Sequence, residues 1–175
     1  MEALTRVCLI GPESTGKSAL AAELAKHYGV VTCREFAREY AEARDNDLKY
    51  EDVEPIARGQ IDEERAAESA SLHLCIRDTD LISTVVYSRH YYGQCPEWIV
   101  AAAHQRRADL YLLMDTDVPW KADAARDAGG DEREDLFDEF RAALDEFETR
   151  WLIVSGSWQE RLAAARKAVD DILGA

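Results

Sequence analysis

The chain has 175 residues, a length that predicts one domain (residues 1–175) with a substantial core, and its formal net charge is −14, from 35 Asp and Glu against 21 Lys and Arg. Such an acidic surface argues against binding to nucleic acid or to an anionic membrane, because both are bound mainly through lysine and arginine contacts to phosphates. No apolar run approaches the length of a membrane span and the first six residues have no signal-peptide pattern, so we expect a cytoplasmic protein.

The N-terminal segment predicts a phosphate-binding loop. Residues 6–10 are apolar and typical of a β-strand, whereas residues 19–26 have a helical pattern. Between them, the stretch GPESTGKS at residues 11–18 fits the pattern G-x-x-x-x-G-K-[ST] without a mismatch. Gly11 and Gly16 can adopt backbone angles that turn the N–H groups of the loop towards a polyphosphate.

This loop indicates a triphosphate site for ATP or GTP with Mg²⁺. Lys17 is expected to reach the β- and γ-phosphates, and the Ser18 hydroxyl to ligate Mg²⁺. The first turn of the following helix adds free N–H groups and the positive end of its dipole. The residues of this segment that we expect to contact the nucleotide are Gly11, Glu13, Ser14, Thr15, Gly16, Lys17, Ser18 and Ala19.

A second short strand, residues 30–33, delivers Glu35 to the edge where open α/β sheets bind ligands. Three roles are possible for the Glu35 carboxylate. It accepts a proton from a hydroxyl that attacks the γ-phosphate, it binds a sugar diol, or it is only an acid favoured at a helix N-terminus. A helix with a buried stripe is predicted after it. Arg38 in that helix either contacts substrate or pairs with Glu35.

The next predicted helix runs from Pro55 to Ala70, and the strand after it, residues 72–77, leads into two aspartates, Asp78 and Asp80. An apolar strand that ends in an acid is typical of the second half of a phosphate-loop site. One of the two acids is expected to serve Mg²⁺ and the other the substrate. Gln60, in the long helix, either offers its amide to a ligand or is solvated.

The periodicity of residues 81–87 leaves helix and strand open. Residues 91–98 form an aromatic-rich connection, in which Tyr91 and Tyr92 either stack on a flat ring in a pocket or pack under a loop. The four cysteines have no metal-binding or C-x-x-C spacing, and we expect free, mostly buried thiols. They are Cys8, Cys33, Cys75 and Cys95.

The last third predicts a buried strand at 108–115, then a charged and glycine-hinged segment around 119–133. This segment has the composition of a mobile lid that brings Arg126 and Arg133 over the phosphates when it closes, and the alternative is an exposed acidic loop. The remaining predicted elements are a helix at 136–150, a strand at 151–154 and a helix at 160–173.

Alternating strands and helices of this kind predict an α/β fold, a three-layer α/β/α sandwich around a parallel sheet of about five strands. With the loop at residues 11–18, the fold class is that of a kinase-type P-loop NTPase with a lid segment.

The chain resembles a known family in several stretches that occur in the same order and spacing. These stretches are residues 11–18, 34–40, 78–80, 117–120 and 123–126, and the similarity continues to Val154, Ser155, Gly156 and Arg161. In them the chain is similar to the ribosylnicotinamide kinase domain of the bifunctional bacterial NAD-biosynthesis regulators. That family transfers the γ-phosphate of ATP to the 5′-hydroxyl of nicotinamide riboside. The nucleotidyltransferase and DNA-binding segments of the family have no counterpart in these residues.

The resemblance implies specific roles, with ATP and Mg²⁺ as the nucleotide and metal and a small nucleoside as the acceptor. Lys17 and Ser18 would hold phosphates and Mg²⁺, and Asp78 would be the acid on the metal side. Catalytic roles are implied for Lys17, Glu35, Asp78, Asp80 and Arg126, with Arg126 and Arg133 as lid arginines on the nucleotide. Candidate acceptor contacts are Glu35, Arg38, Tyr40, Asp80, Tyr91 (or Tyr92) and Trp120.

Two other functions fit parts of the pattern. A nucleotide-driven ATPase or switch with a protein partner would use the same loop, although the base-reading motif N-K-x-D of GTPases does not occur in the sequence. A kinase for another nucleoside or for a polynucleotide 5′-hydroxyl shares the chemistry, but the acidic charge argues against a groove for nucleic acid. The sequence does not decide whether the protein forms a homo-oligomer.

Overall fold

The computed structural model describes residues 3–118 and 131–174. The five strands in these ranges form one parallel sheet in the order β2-β3-β1-β4-β5. The strands are β1 Thr5–Ile10, β2 Thr32–Cys33, β3 Leu74–Asp78, β4 Leu110–Met114 and β5 Trp151–Val154. The α/β class and the parallel sheet predicted from the sequence are confirmed.

Seven α-helices in the described ranges cover the sheet. They are α1 Lys17–Tyr28, α2 Phe36–Glu42, α3 Val53–Ser69, α4 Leu81–Tyr92, α5 Glu97–Gln105, α6 Asp131–Glu146 and α7 Trp158–Leu173, with a 3₁₀ turn at Tyr50–Asp52. None of the helices in these two ranges has the length and apolar character that crossing a bilayer requires.

Two apolar layers hold the sandwich together. On one face, α1 and α7 pack on the sheet through Leu20, Leu24 and Val169. On the other, α3, α4, α5 and α6 enclose a larger cluster that includes Phe140 and Phe147. Because both faces are covered, the central strands are apolar on both sides, which explains the continuous runs in the sequence.

The order of the strands places a crevice next to β1. The chain leaves β1 through α1 on one face of the sheet, and it leaves β3, the neighbour of β1, through α4 on the other face. Open parallel sheets bind ligands at such a switch point, at the carboxyl ends of the strands. The phosphate loop follows β1 and the two aspartates lie at the end of β3, so both predicted halves of the site meet at this crevice.

The structure decides one stretch that the sequence left open and corrects one predicted connection. The stretch 81–87, left open above, is helix α4, which continues through Tyr92 into the aromatic segment. The prediction of a connection over residues 91–98 missed the start of α5 at Glu97, where Pro96 takes the position before the helix and Ile99 and Ala103 become buried. The final helix begins at Trp158 because Ser157 and Glu160 form a capping box. Cys8, Cys33 and Cys75 are buried free thiols as expected, and Cys95 is partly buried.

Candidate active site

The phosphate loop approaches β4 so closely that only glycine fits at its start. Gly11 has a φ of 137°, and a Cβ built there would lie 2.9 Å from the carbonyl oxygen of Met114. Gly16 has a φ of 86° and directly precedes α1. The two glycines of the motif are therefore required for different reasons. Gly11 is needed because the backbone of β4 lies close to it, and Gly16 because it adopts a left-handed conformation.

The loop is internally braced around the carbonyl of Pro12. The Thr15 hydroxyl donates to the Pro12 oxygen at 2.8 Å, and the Lys17 ammonium donates to the same oxygen at 2.6 Å. Lys17 is 6% exposed and opens α1, which has no side-chain cap. The first amides of a helix lack intrahelical acceptors, so this end of α1 presents donors and positive potential to an anion.

A carboxylate from β3 meets the loop at the start of α1. Asp78 hydrogen-bonds the Ser18 hydroxyl and lies within electrostatic range of Lys17, Glu35 and Arg38. Burial raises the pKa of the Asp78 carboxyl, Glu35 adds to the rise, and the Ser18 hydrogen bond and the cations oppose it. Sequence-predicted residues from three separate segments thus come together here.

The Asp78 carboxylate also indicates which residues could bind Mg²⁺. Its Oδ1 is buried and has no hydrogen-bond partner among the described residues. A buried carboxylate oxygen without a partner beside a serine hydroxyl is the donor set that a hard cation such as Mg²⁺ takes, with phosphate oxygens and water as further ligands. Ser18 and Asp78 therefore fit the predicted metal role.

Glu35 lies within electrostatic range of Asp78. It is 7% exposed, directly precedes α2, and its Oε2 is 3.6 Å from the Arg38 Nε. Of the two roles predicted for Arg38, a substrate contact or an ion pair with Glu35, the structure contains the ion pair. The backbone N–H of Phe36 donates to the Gln60 Oε1 at 3.1 Å, which fastens the start of α2 to α3.

Asp80 does not join Asp78. Its Oδ1 accepts from the backbone N–H of Ile82 at 2.9 Å, which caps α4, and its Oδ2 accepts from the Tyr111 hydroxyl at 2.6 Å. Between the two acids, Thr79 has a φ of 67°, and this left-handed residue turns the chain so that neighbouring carboxylates leave in different directions. The sequence predicted that one acid serves the metal and the other the substrate. In the structure, both carboxylate oxygens of Asp80 are bonded to groups of the protein itself.

Asp80 belongs to a buried ionic cluster between β3 and α3. Arg77 is fully buried and pairs with Glu68 at 2.5 Å, with Glu64 at 3.8 Å and with Asp80 at 3.9 Å. Burial by itself would lower the pKa of Arg77, but the carboxylates of Glu64 and Asp80 outweigh it and raise that pKa above its ordinary value. Burial raises the pKa of Glu64 to about 7. The cluster fixes the end of β3, and so the position of Asp78 one residue further on.

A cavity of about 530 Å³ opens beside Glu35 and Thr79, and Thr79 directly follows Asp78. This is the size of a small-molecule site. Its walls come from α2, the loop after it, α3, the turn after β3, α4 and the start of α6. The residues that line it include Glu35, Ala41, Asn46, Lys49, Ile56, Gln60, Thr79, Ser83, Thr84, Tyr87, Tyr91, Tyr92 and Glu132. Glu35 and Thr79 mark the end of the cavity next to the phosphate loop.

The aromatic residues divide between wall and surface. Tyr87 and Tyr91 line the cavity with their rings nearly parallel, at an interplanar angle of 9°. The Tyr87 hydroxyl donates to Glu13 Oε2 of the phosphate loop at 2.9 Å, which joins the cavity wall to the nucleotide side. Tyr40, by contrast, donates its hydroxyl to Asp52 and lies under the guanidinium of Arg44, and it is not among the residues that line the cavity.

Two arginines hold the loops around the nucleotide side. Arg133, predicted in the lid, lies in the first turn of α6, is 5% exposed and donates to the carbonyls of Thr116 and Val118. Arg161 of α7 donates to the carbonyls of Thr15, Asp115 and Gly156 and pairs with the Asp117 carboxylate. The predicted Trp120 and Arg126 and most of the predicted lid lie outside the described residues.

Sequence reasoning did not assign roles to Thr79, Ser83 or Tyr87, and it gave Arg161 only as part of a resemblance. A signal was present for Thr79 alone, since a residue between two acids at the end of a strand sits at the switch point. The others depend on where α4 and α7 pack, which no local pattern shows.

A five-stranded parallel sheet with a phosphate loop after β1, an acid at the end of β3 and a cavity beside them defines a P-loop protein of the kinase type. A family model described as an AAA domain matches residues 6–161, and the chain belongs to that family. Structures with the same fold but low identity include deoxyadenosine kinase from M. mycoides (TM-score 0.68, 12% identity, 95% of this chain and 100% of that one) and thymidylate kinase from Ehrlichia chaffeensis (TM-score 0.67, 15%, 98% and 99%).

More similar sequences come from trifunctional NAD biosynthesis/regulator proteins. NadR of Salmonella typhimurium and NadR of Escherichia coli K12 are each 29% identical over 127 residues, which cover 70% of this chain and 31% of theirs. A crystal structure of NadR in complex with NR superposes with a TM-score of 0.82 at 26% identity. One with NAD and AMP-PNP gives 0.83 at 27%. Both cover 98% of this chain, which spans about half of the NadR chains in the crystals and a third of the curated relatives.

Proposed function

We propose that this protein is an ATP-dependent kinase that phosphorylates the 5′-hydroxyl of nicotinamide riboside. The observation that carries the proposal is the cavity that ends at Glu35 and Thr79, beside a complete phosphate loop. Superposition over 98% of the chain on a NadR structure whose ligand is NR supports the choice of acceptor. The AMP-PNP in the second NadR structure supports ATP as the donor.

The nucleotide would be held mainly by main-chain donors. The amides of the loop and of the first turn of α1 surround the β- and γ-phosphates, and Lys17 exchanges its contact with the Pro12 carbonyl for a phosphate oxygen. Ser18 and Asp78 would hold Mg²⁺, which when bound neutralises charge on the transferring phosphoryl group. Arg161 keeps the loop at Thr15 in register with the ends of β4 and β5.

The acceptor would enter from the cavity with its 5′-hydroxyl towards Asp78. Glu35 is the proposed proton acceptor, because it is buried, lines the cavity and lies near Asp78, with Arg38 fixing its Oε2. Tyr91, which lines the cavity, offers a flat face to the nicotinamide ring. That ring is cationic, and aromatic faces with nearby carboxylates favour a cation. Transfer then needs alignment and charge neutralisation and no covalent intermediate.

A coupled ATP-consumption screen tests the proposal. The acceptors are nicotinamide riboside, the four common ribonucleosides and an oligonucleotide with a free 5′-hydroxyl, each with ATP and Mg²⁺. We expect ADP release that depends on nicotinamide riboside and is weak with the others. Rapid ADP release without any acceptor would instead support an ATPase or switch, and a preference for the oligonucleotide would support a polynucleotide kinase.

A further inference from the structure

Thr79 has a backbone conformation that its side chain disfavours. Its φ of 67° lies in the left-handed region, where β-branched residues are genuine outliers and glycine is at ease. The residue is 5% exposed, and its N–H donates to the Leu9 carbonyl at 3.0 Å, so the surroundings hold it there. Strain of this kind concentrates where a side chain has a task that outweighs its cost.

In the first turn of α4, Ser83 shows a second unfavourable feature. Its hydroxyl oxygen is buried and has no hydrogen-bond partner among the described residues. Buried hydroxyls in native proteins are nearly always bonded, so an orphan calls for an explanation such as an absent ligand. Ser83 is 6% exposed and lines the same cavity as Thr79.

The two residues share one wall and one end of the cavity. Thr79 directly follows Asp78, which hydrogen-bonds Ser18, so this end is the one that faces the transferring phosphate. A nucleoside that presented its 5′-hydroxyl to Asp78 would have its furanose ring, which carries that hydroxyl through one carbon, next to this wall, and its base deeper in the cavity. The groups that a furanose can offer there are its 2′- and 3′-hydroxyls.

We propose that the hydroxyls of Thr79 and Ser83 bind the ribose diol of the acceptor and make the enzyme selective for ribosides over deoxyribosides. This rests on the proposed nucleoside kinase function and deepens it. A sugar hydroxyl both donates and accepts, so it can satisfy the Ser83 oxygen and use the Thr79 hydroxyl that the strained turn presents. A site built for a hydroxyl discriminates against a ligand that lacks it, because its own polar group is then left unpaired.

The test compares binding of nicotinamide riboside with binding of its 2′-deoxy and 3′-deoxy analogues. Dissociation constants are measured by calorimetry for the wild type and for Thr79→Val, Thr79→Ser and Ser83→Ala. The wild type should bind at least one deoxy analogue about tenfold more weakly, the effect of one lost hydrogen bond. Thr79→Val and Ser83→Ala should bind the riboside about tenfold more weakly and lose that discrimination, whereas Thr79→Ser should retain it.

Two controls separate a structural role from binding. Thr79→Gly removes the hydroxyl and relieves the backbone strain, so it should fold with a Tm close to that of the wild type and still lose the discrimination. Ser69→Ala, which removes an exposed hydroxyl of α3, should change neither quantity. Wild-type discrimination that persists unchanged in Thr79→Gly, Thr79→Val and Ser83→Ala would overturn the inference.

The outcome is distinguishable from failure of the proposed function. If the protein binds ribosides with the expected discrimination but does not phosphorylate them, the diol site stands and the kinase proposal fails. If it phosphorylates nicotinamide riboside and its deoxy analogues with equal kcat/KM, the kinase proposal stands and the diol site fails. Absence of riboside binding by the wild type would contradict both.

Discussion

Gly59→Ala should destabilise the protein, although a glycine inside a helix would ordinarily be improved by alanine. Gly59 lies in the middle of α3, where alanine is favoured over glycine by about 1 kcal/mol on helix propensity alone. The structure reverses the sign, because a Cβ at this position would lie 2.2 Å from the Phe36 Cε1. That is more than 1 Å inside ordinary van der Waals contact.

The net effect follows from two opposing free energies. Overpacking of this kind typically costs about 1–3 kcal/mol, and here the ring belongs to a residue whose N–H is tied to Gln60. After subtracting the propensity gain of about 1 kcal/mol, we expect a loss of up to about 2 kcal/mol, or a fall in Tm of up to about 8 °C. Because Phe36 begins α2 directly after Glu35, kcat with the acceptor should also fall, while KM for ATP stays close to its wild-type value.

Thermal unfolding and steady-state kinetics of four variants check this reasoning: Gly59→Ala, Phe36→Ala, the double variant of the two, and Ala66→Gly. Phe36→Ala removes the ring, so adding Gly59→Ala to it should be neutral or stabilising. Ala66→Gly, at an exposed position of the same helix, measures propensity alone and should cost about 1 kcal/mol. A Gly59→Ala protein with a higher Tm and unchanged kinetics would refute the contact between α2 and α3 described above.

Four further variants address the nucleotide side and the helix that follows residues 119–130. Lys17→Ala should abolish turnover with little change in the circular dichroism spectrum, and an active variant would refute the phosphate site. Asp78→Asn should lower kcat about 100-fold or more, whereas Asp138→Asn on the exposed face of α6 should not, as kinetics at saturating Mg²⁺ will show. Arg161→Lys cannot reach all of its acceptors, so KM for ATP should rise and stability fall by about 2–3 kcal/mol in urea titrations. Burial opposes the charge on His90, but its hydrogen bonds to Glu139 and Glu132 prevail and raise its pKa. Stabilisation by a raised histidine pKa is complete below the unfolded value and is lost as pH rises through the folded value, so His90→Gln should lower Tm more at pH 6 than at pH 9. An equal loss of Tm at both pH values would contradict this.

Local patterns predicted the fold because its signals are local. The loop at residues 11–18 is recognisable from the spacing of its glycines. The buried strands appear as apolar runs because helices cover both faces of the sheet. The start of α5 was missed, although Pro96 and Glu97 are a typical helix beginning, because the preceding tyrosines suggested a loop.

The site was predictable where chemistry follows strand ends and not where it depends on packing. The sequence does not distinguish the roles of Asp78 and Asp80. Their side chains point to different surroundings because Thr79 has a left-handed conformation and Arg77 pairs with Asp80 inside the protein. Tyr40 has the residue type of a ligand contact, but the 3₁₀ turn brings Asp52 to its hydroxyl. Such outcomes depend on partners distant in sequence, which periodicity does not reveal.

The most direct measurement of the central claim is the identity and stoichiometry of the product formed from ATP, Mg²⁺ and nicotinamide riboside. Mass spectrometry of a reaction with γ-¹⁸O-labelled ATP should show labelled nicotinamide mononucleotide and ADP in equal amounts, and neither with Lys17→Ala. Labelled inorganic phosphate in place of the mononucleotide, or no reaction by the wild type, would contradict the account.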